Sequence, residues 1–251
     1  MQKGASTTND KAVRSGASVG SMFDRIAPTY DLLNHLLSLG RDFSWRRRAV
    51  RALPAPGVLK VLDLATGTGD LLIALLRENP AVVEAVGLDI SPEMLKIGEQ
   101  KLARYGFGDR VRLVCDDALH SGLPDDSFDA VTMGFGIRNT PDVKATLGEI
   151  HRLLKPGGTA VILEFSLPRS TLMRQCYLLY LRSVVPLIGA LLSRDKTAYR
   201  YLNTSIEAFY RPEALCALMK ETGFARVAAT PLTLGVASVY VGMKSETGGD
   251  S

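Results

Sequence analysis

The strongest constraint on the fold is an alternation that runs from residue 59 to residue 165. Short apolar runs at about Leu59–Leu64, Val82–Leu88, Val111–Cys115, Ala130–Met133 and Ala160–Phe165 are separated by segments near Leu71–Glu78, Pro92–Tyr105 and Val143–Leu154, whose apolar residues recur every three or four positions. Strands that are apolar at nearly every position are buried on both faces, and amphipathic helices between them do the covering. The pattern predicts βαβ units, hence an α/β fold with a mostly parallel sheet and helices on both faces. A helix at Pro212–Glu221 and two more strands, about Arg226–Ala229 and Ala237–Met243, bring the expected sheet to seven strands.

Additions flank this frame, which is read as one domain over residues 22–243. Residues 22–53 form a helical cap with apolar Phe23, Ile26, Leu32, Leu33, Leu36, Leu37 and Leu39, punctuated by Pro28 and Gly40 and closed by Pro54, Pro56 and Gly57. Residues 1–21 and 244–251 are polar and are expected to be disordered or flexible tails. Residues 170–205 insert one or two apolar helices, interrupted by Arg174 and Arg182 and bent at Pro186. That insertion suits a lid or wall for an apolar ligand, a membrane contact, a core helix or a homodimer interface, and the sequence leaves these open. It contains no stretch of ~20 uncharged apolar residues, so no helix is expected to span a bilayer.

Composition excludes several classes. Cys115, Cys176 and Cys216 are isolated and odd in number, which fits a reducing cytoplasmic compartment and no disulfide framework. His35, His120 and His151 lack metal-ligand spacing, so no metal site is expected. The chain carries 30 Lys+Arg against 26 Asp+Glu, and its basic cluster Arg46, Arg47, Arg48 and Arg51 has no interleaved aromatics. A solvated helix face or anionic lipid headgroups suit that cluster better than nucleic acid.

The first strand runs into a helix through Asp63-Leu64-Ala65-Thr66-Gly67-Thr68-Gly69-Asp70. Gly67 and Gly69 allow close backbone approach to a ligand, and such a turn lies at the ligand crevice of an open α/β sheet. Leu72 stands where a dinucleotide fingerprint has its third glycine. Asp89 ends the second strand 20 residues after Gly69, the distance at which a carboxylate meets ribose hydroxyls. Asp117 and Ala118 follow the third strand, placed to grip an adenine edge. Three such elements at successive strand ends describe a nucleoside site without pyrophosphate, and S-adenosyl-L-methionine is the cofactor that fits.

Three segments are more specific. They are Tyr30-Asp31-Leu32-Leu33-Asn34-His35-Leu36-Leu37-Ser38 with Trp45, then Gly134-Phe135-Gly136-Ile137-Arg138-Asn139, and Arg152-Leu153-Leu154-Lys155-Pro156-Gly157-Gly158 ending in Glu164-Phe165-Ser166. With them the chain resembles the Rossmann-like class I methyltransferases, and more narrowly the ubiquinone/menaquinone biosynthesis C-methyltransferases, from about Met22 to Met243. It departs from that family's usual Met at Leu33, His at Asp42 and Ser at Gly134. The resemblance implies cofactor contacts at Thr68, Asp89, Asp117 and Ala118, beside the loop candidates Asp63, Gly67 and Gly69. It also implies methyl transfer to a ring carbon of a polyprenylated quinol: demethylmenaquinol to menaquinol, and in some members a methoxy-benzoquinol precursor of ubiquinone. Such a substrate suggests peripheral contact with the inner face of the membrane.

A quinol ring carbon is nucleophilic when a neighbouring hydroxyl loses its proton, so the reduced form is the expected acceptor. The candidates around the methyl group are Tyr30, Asp31, Asn34, Arg138 and Asn139, with Arg138 to stabilise a phenolate, Asn139 to orient the second hydroxyl, and Asp31 or His35 as base. Tyr30 and Trp45 also suit simple packing, and Arg138 also suits a carboxylate partner. Another hydrophobic acceptor is the alternative reading. A nicotinamide oxidoreductase fits poorly, because its Tyr-x-x-x-Lys, Tyr240 to Lys244, falls on a strand with roughly 13 Å between the two. A scaffold that merely binds the nucleoside is disfavoured by Asp89 and Arg138.

Overall fold

The computed structural model of the chain describes residues 16–53, 57–187 and 196–246. Seven strands, β1 (Leu59–Leu64), β2 (Val82–Asp89), β3 (Val111–Cys115), β4 (Phe128–Gly134), β5 (Leu154–Phe165), β6 (Ala225–Leu232) and β7 (Ala237–Met243), form one sheet in the order β3-β2-β1-β4-β5-β7-β6. The first five are parallel, and β7 inserts antiparallel between β5 and β6. The sheet grows outward from β1 toward β3 and then from β4 toward β6. The switch point therefore lies between β1 and β4, where an open α/β sheet leaves a crevice at its carboxyl edge.

The helices are α1 (Gly16–Leu37), α2 (Arg41–Val50), α3 (Asp70–Glu78), α4 (Pro92–Arg104), α5 (Val143–Leu153), α6 (Thr171–Leu179), α7 (Lys196–Ala208) and α8 (Pro212–Glu221). Alternate residues of β1 feed two core layers. Leu59 and Val61 pack with Trp45, Leu72 and Leu75 on one face, while Leu62 and Leu64 pack with Ile150, Leu153 and Met219 on the other. Ser91 caps α4 by accepting the Met94 N–H at 3.2 Å, and Asp142 caps α5 through the Ala145 N–H at 2.9 Å. Leu72, in place of the close-packing glycine, is fully buried, and its room comes from the neighbouring strand: a Cβ on Gly87 of β2 would lie 2.7 Å from Leu72 Cδ1.

Three expectations are corrected. The first helix starts at Gly16, inside the expected tail, with Val19 and Met22 buried. Pro28 does not interrupt α1: the helix runs through it, forgoing the one N–H that proline lacks. The strand expected at about Ala160–Phe165 starts at Leu154 instead, with Lys155-Pro156-Gly157-Gly158 as a bulge within it, since Phe128 pairs with Leu154 and Ala130 with Thr159. Tails 1–15 and 247–251, residues 54–56 with the expected breakers Pro54 and Pro56, and residues 188–195 of the apolar insertion lie outside the described residues.

The described part of the insertion is two-sided. Tyr177, Leu181 and Val185 pack on Leu33 and Ile206 as a third core cluster, while Leu172, Leu179 and Leu187 are exposed. A π-helical turn at Tyr180–Val184 follows α6. The Asn203 amide donates to its Leu181 carbonyl, and the Tyr180 hydroxyl donates to the Leu37 carbonyl of α1 at 2.8 Å. Among the described residues no helix is long and apolar enough to cross a membrane.

Candidate functional site

The glycine loop sits at the switch point. Ala65, Gly67 and Gly69 have φ of +50°, +55° and +79°, and the two glycines adopt that left-handed geometry without strain. The loop is held from below by Asp89 at the end of β2. Asp89 Oδ2 accepts the Gly67 N–H at 2.7 Å and Oδ1 accepts the Ser91 N–H at 2.9 Å. Burial pushes the Asp89 carboxyl above the usual range, with these backbone donors pulling it partly back. Asp63 lies deeper. Both of its oxygens are taken, by the hydroxyls of Thr66 at 2.7 Å and Thr132 at 2.6 Å, and burial raises it to about 7. It braces the loop from within.

A cleft of about 670 Å³ runs over this loop, lined by Gly67, Asp89, Asp117, Ala118, Gly134, Asn139 and, from α1, Val19, Phe23 and Tyr30. The sequence-derived Gly67, Asp89, Asp117 and Ala118 are thus brought to one wall. Asp117 Oδ1 accepts the Leu119 N–H at 2.9 Å, which fixes the carboxylate against the cleft. Thr68 and Gly69 turn away from this cleft toward α4 and the cap. A Cβ on Gly69 would lie 3.7 Å from Gly98 Cα, and Thr68 lines a smaller polar recess with Arg46, Asp63, Thr66 and Asp70.

A second chamber of about 480 Å³ adjoins the cleft at Phe23, Tyr30 and Asn139. Its walls are apolar, from Met22, Ile26, Leu33 and Leu37 of α1 and Leu202 of α7, and its polar end is Tyr30, Asn34, Arg138 and Asn139. Burial pushes the Tyr30 phenol up, with Arg138 and a hydrogen bond to Asn34 pulling it partly back. Arg138 is the carboxylate binder that the sequence allowed: its Nη1 donates to the fully buried Glu164 at 2.7 Å and to the Phe135 carbonyl at 2.6 Å. Burial pushes the Glu164 carboxyl up, with the Arg138 guanidinium opposing. Arg138 Nε and Asn139 Oδ1, a donor and an acceptor, are buried without a hydrogen-bond partner among the described residues.

Asp31 is brought elsewhere. It lines neither cavity, since Oδ1 accepts the Thr68 hydroxyl at 2.6 Å and Oδ2 accepts Lys101 Nζ at 2.6 Å. Lys101 also pairs with Asp70, Asp70 with Arg46 at 3.1 Å, and Arg46 with Asp42, which takes His35 Nδ1 at 2.6 Å. Asp31 and His35 are therefore links in a chain of charges that ties the cap to the glycine loop. Trp45 packs as expected: its ring lies 6.2 Å from Phe135 and 6.1 Å from Phe165, and its Nε1 donates to Thr233 Oγ1 at 2.8 Å. His120 is exposed and His151 packs edge-on to Phe224, both away from the cavities.

Sequence reasoning met Glu164 only as part of a family segment and gave it no role, and it missed Lys101 and the α1 wall. For the wall a signal existed: Val19, Met22, Phe23 and Ile26 keep helical spacing, but they straddle the boundary assigned to the tail. Lys101 carried no local signal, and nothing local paired Glu164 with Arg138.

Comparison with known proteins bears on this arrangement. The chain is 48% identical over 221 residues, 88% of its length and 99% of the relative, to a demethylmenaquinone methyltransferase of Thermus thermophilus. It is 42% identical over 234 residues, covering 93% of this chain and 99% of the relative, to a ubiquinone/menaquinone biosynthesis C-methyltransferase of Geotalea daltonii. A solved SAM-dependent methyltransferase of Thermotoga maritima superposes with a TM-score of 0.62 at 20% identity over 90% of this chain and all of its own, which shows the fold. The sequence profile of the ubiE/COQ5 methyltransferase family matches residues 8–244, nearly the whole length, and the chain belongs to that family.

Proposed function

We propose that this methyltransferase uses S-adenosyl-L-methionine to methylate a ring carbon of demethylmenaquinol, giving menaquinol. The observation that carries the reading is the pair of cavities meeting at Tyr30 and Asn139, one lined by Asp89, Asp117 and the glycine loop, the other apolar with a polar end. The residues present fit the cofactor. Asp89 is fixed by two backbone amides at the cleft wall, where a diol can reach it, and a Cβ on Gly136 would lie 2.7 Å from Ala65 Cβ, so glycine there lets the β4 loop sit close. Bound there, the cofactor supplies an already activated methyl group, and alignment is then the protein's main task.

The chain's own residues divide the remaining work. The apolar chamber wall accepts the start of a polyprenyl tail and excludes water from the ring. The unpartnered Arg138 Nε and Asn139 Oδ1 suit the two faces of a hydroquinone: Nε donates to the oxygen that loses its proton, and Oδ1 accepts from a hydroxyl that keeps its own. Glu164 holds Arg138 in that orientation. The relatives named for ubiquinone as well as menaquinone biosynthesis support a methoxy-benzoquinol as second acceptor. Contact with a lipid surface is supported by exposed Leu32, Leu36, Leu39 and Phe43, which adjoin the chamber-lining Leu33 and Leu37, and by exposed Arg41 and Arg48 beside them. Sedimentation with anionic vesicles tests that contact, and self-association without vesicle binding would make the stripe a dimer interface instead.

The deciding assay incubates the protein with methyl-labelled cofactor and chemically reduced demethylmenaquinone, followed by lipid extraction. Label is expected in the lipid from the reduced acceptor, none from the oxidised quinone, and none with Asp89→Ala. Cofactor binding with no label in the quinol would overturn the acceptor. Equal labelling of the oxidised quinone would overturn the mechanism.

A further inference from the structure

We infer that Trp45 is a positioning residue for methyl transfer: tethered to Thr233, its ring supports Phe135, whose one carbonyl aims both Arg138 and Asn139. The inference rests on the acceptor reading above, in which those two groups meet the quinol, and extends it to a pair of residues that line neither the cleft nor the chamber. The Phe135 carbonyl accepts from Arg138 Nη1 at 2.6 Å and from Asn139 Nδ2 at 3.2 Å. A carbonyl oxygen can only accept, so it fixes which end of the Asn139 amide turns inward, and Oδ1 is the end left free. The same oxygen shares Arg138 Nη1 with Glu164 and leaves Nε as the free donor. The orientation of a single peptide thus sets the polarity of both groups at the end of the chamber.

That peptide is held in an uncommon conformation. Phe135 has φ +57°, which a bulky side chain avoids and which persists only where its surroundings over-determine it. Its N–H donates to the Leu163 carbonyl at 2.7 Å, and its ring lies 4.7 Å from Phe165 and 6.2 Å from Trp45. Phe165 in turn carries the Arg138 guanidinium over its face, 5.2 Å from the ring centre. Trp45, on α2, stands nearly perpendicular to Phe165 at 6.1 Å and completes the cluster.

Packing alone would ask of Trp45 only that its buried N–H find some acceptor. The acceptor it has is Thr233 Oγ1, on a turn between β6 and β7 where Thr233 and Leu234 have φ of +45° and +59°. Two successive non-glycine residues in the left-handed region make this a second strained site. Ser166 clamps the turn to the end of β5, its hydroxyl donating to the Gly235 carbonyl at 2.8 Å and its N–H to the Val236 carbonyl at 2.9 Å. Trp45 therefore joins two strained sites, one of which bears the carbonyl that aims the polar end of the chamber. Strain of this kind is concentrated where function needs the geometry.

Steady-state kinetics of the full chain, with methyl-labelled cofactor and reduced demethylmenaquinone, test the role. Trp45→Phe keeps an aromatic ring and loses the tether. It is expected to lower kcat roughly 10- to 100-fold, the range for misplaced reacting groups, with the KM for the cofactor nearly unchanged. Thr233→Val keeps a β-branched side chain at the same φ and removes only the acceptor, so kcat should fall in the same direction by a smaller factor. It serves as the test should Trp45→Phe not fold. A double-mutant cycle separates aiming from general support. Asn139→Ala removes one of the two aimed groups, so either variant should cost less kcat in that background than in the unaltered protein. Unchanged kcat with lowered thermal stability, a rise in cofactor KM alone, or strictly multiplicative losses in the cycle would each overturn the inference. If Asn139→Ala by itself leaves kcat intact, the acceptor reading falls and the role of Trp45 falls with it.

Discussion

Gly87→Ala tests how the loop is supported. Position 87 lies two residues before Asp89 in β2, and a Cβ there would meet Leu72 Cδ1 and Leu113 Cδ2 at 2.7 Å and Thr66 Cγ2 at 3.1 Å. Leu113 is only partly buried and can rotate away, but Leu72 is fully buried beneath the loop. Overpacking of this kind costs about 1–3 kcal/mol, and replacing glycine by alanine returns about 0.4–1 kcal/mol through the unfolded chain. The expected net loss is about 1–2 kcal/mol, or roughly 2–8 °C in Tm for a chain of this size. Urea and thermal unfolding measure it, and because Thr66 is pushed as well, cofactor affinity should fall with stability. Leu72→Val removes the obstructing Cδ1, so the double variant should recover about 1 kcal/mol relative to additivity. Gly87→Ala at or above the stability of the unaltered protein, or a strictly additive double variant, would refute the idea that Gly87 makes the room for Leu72.

Asp63 gives a pH signature. Burial raises its carboxyl from 3.8 to about 7, so between those values the folded state holds a proton that the unfolded state has lost, and stability falls as pH rises from about 4 through 7. Asp63→Asn should flatten that fall, changing the stability difference between the two proteins by a few kcal/mol between pH 4 and 8 in urea titrations, and a constant difference would contradict it. Glu164→Gln replaces one of the oxygens that orient Arg138 by an amide NH2, at about 1–3 kcal/mol of stability. Steady-state kinetics should then show kcat falling with the KM for the cofactor nearly unchanged, whereas a KM effect alone would place Arg138 on the cofactor side.

The inner strands of the sheet were legible because they are buried on both faces, so each apolar run marks a strand without knowledge of its neighbours. Four of the seven expected strands begin and four end on the residues observed, and the largest difference is the start of β5, where the bulge at 155–158 lets polar residues belong to a strand. The start of α1 was hidden for the opposite reason. Its exposed residues 21, 25 and 28 are polar or proline and only one stripe of four residues is apolar, so composition resembles a tail until the partner surface on α4 is known. Pairings across the fold were least legible. Glu164 meets Arg138 because Gly134 pairs with Leu163 in the β4–β5 register, and Lys101 meets Asp31 across 70 positions of sequence.

The acids show how far residue type alone carries a functional reading. Asp63 and Asp89 end adjacent parallel strands, both are buried, and both are raised by that burial. Sequence treats them alike as candidates for the cofactor. What separates them is the kind of donor that reaches each one. Asp63 points inward and has its two oxygens taken by the side chains of Thr66 and Thr132, which leaves it a brace. Asp89 is held by main-chain N–H groups of the loop and of the next helix start, and these leave its outer edge on the cleft. Asp31 matched a family motif as well as any residue in the chain, yet Lys101 and Thr68 occupy it. In this chain the strand-end acid that keeps an edge on the cleft is the one whose inner lone pairs are satisfied by backbone rather than by side chains. Backbone donors at the carboxyl edge are supplied by the same loop that bounds the ligand, so they fix such an acid in place without turning it away.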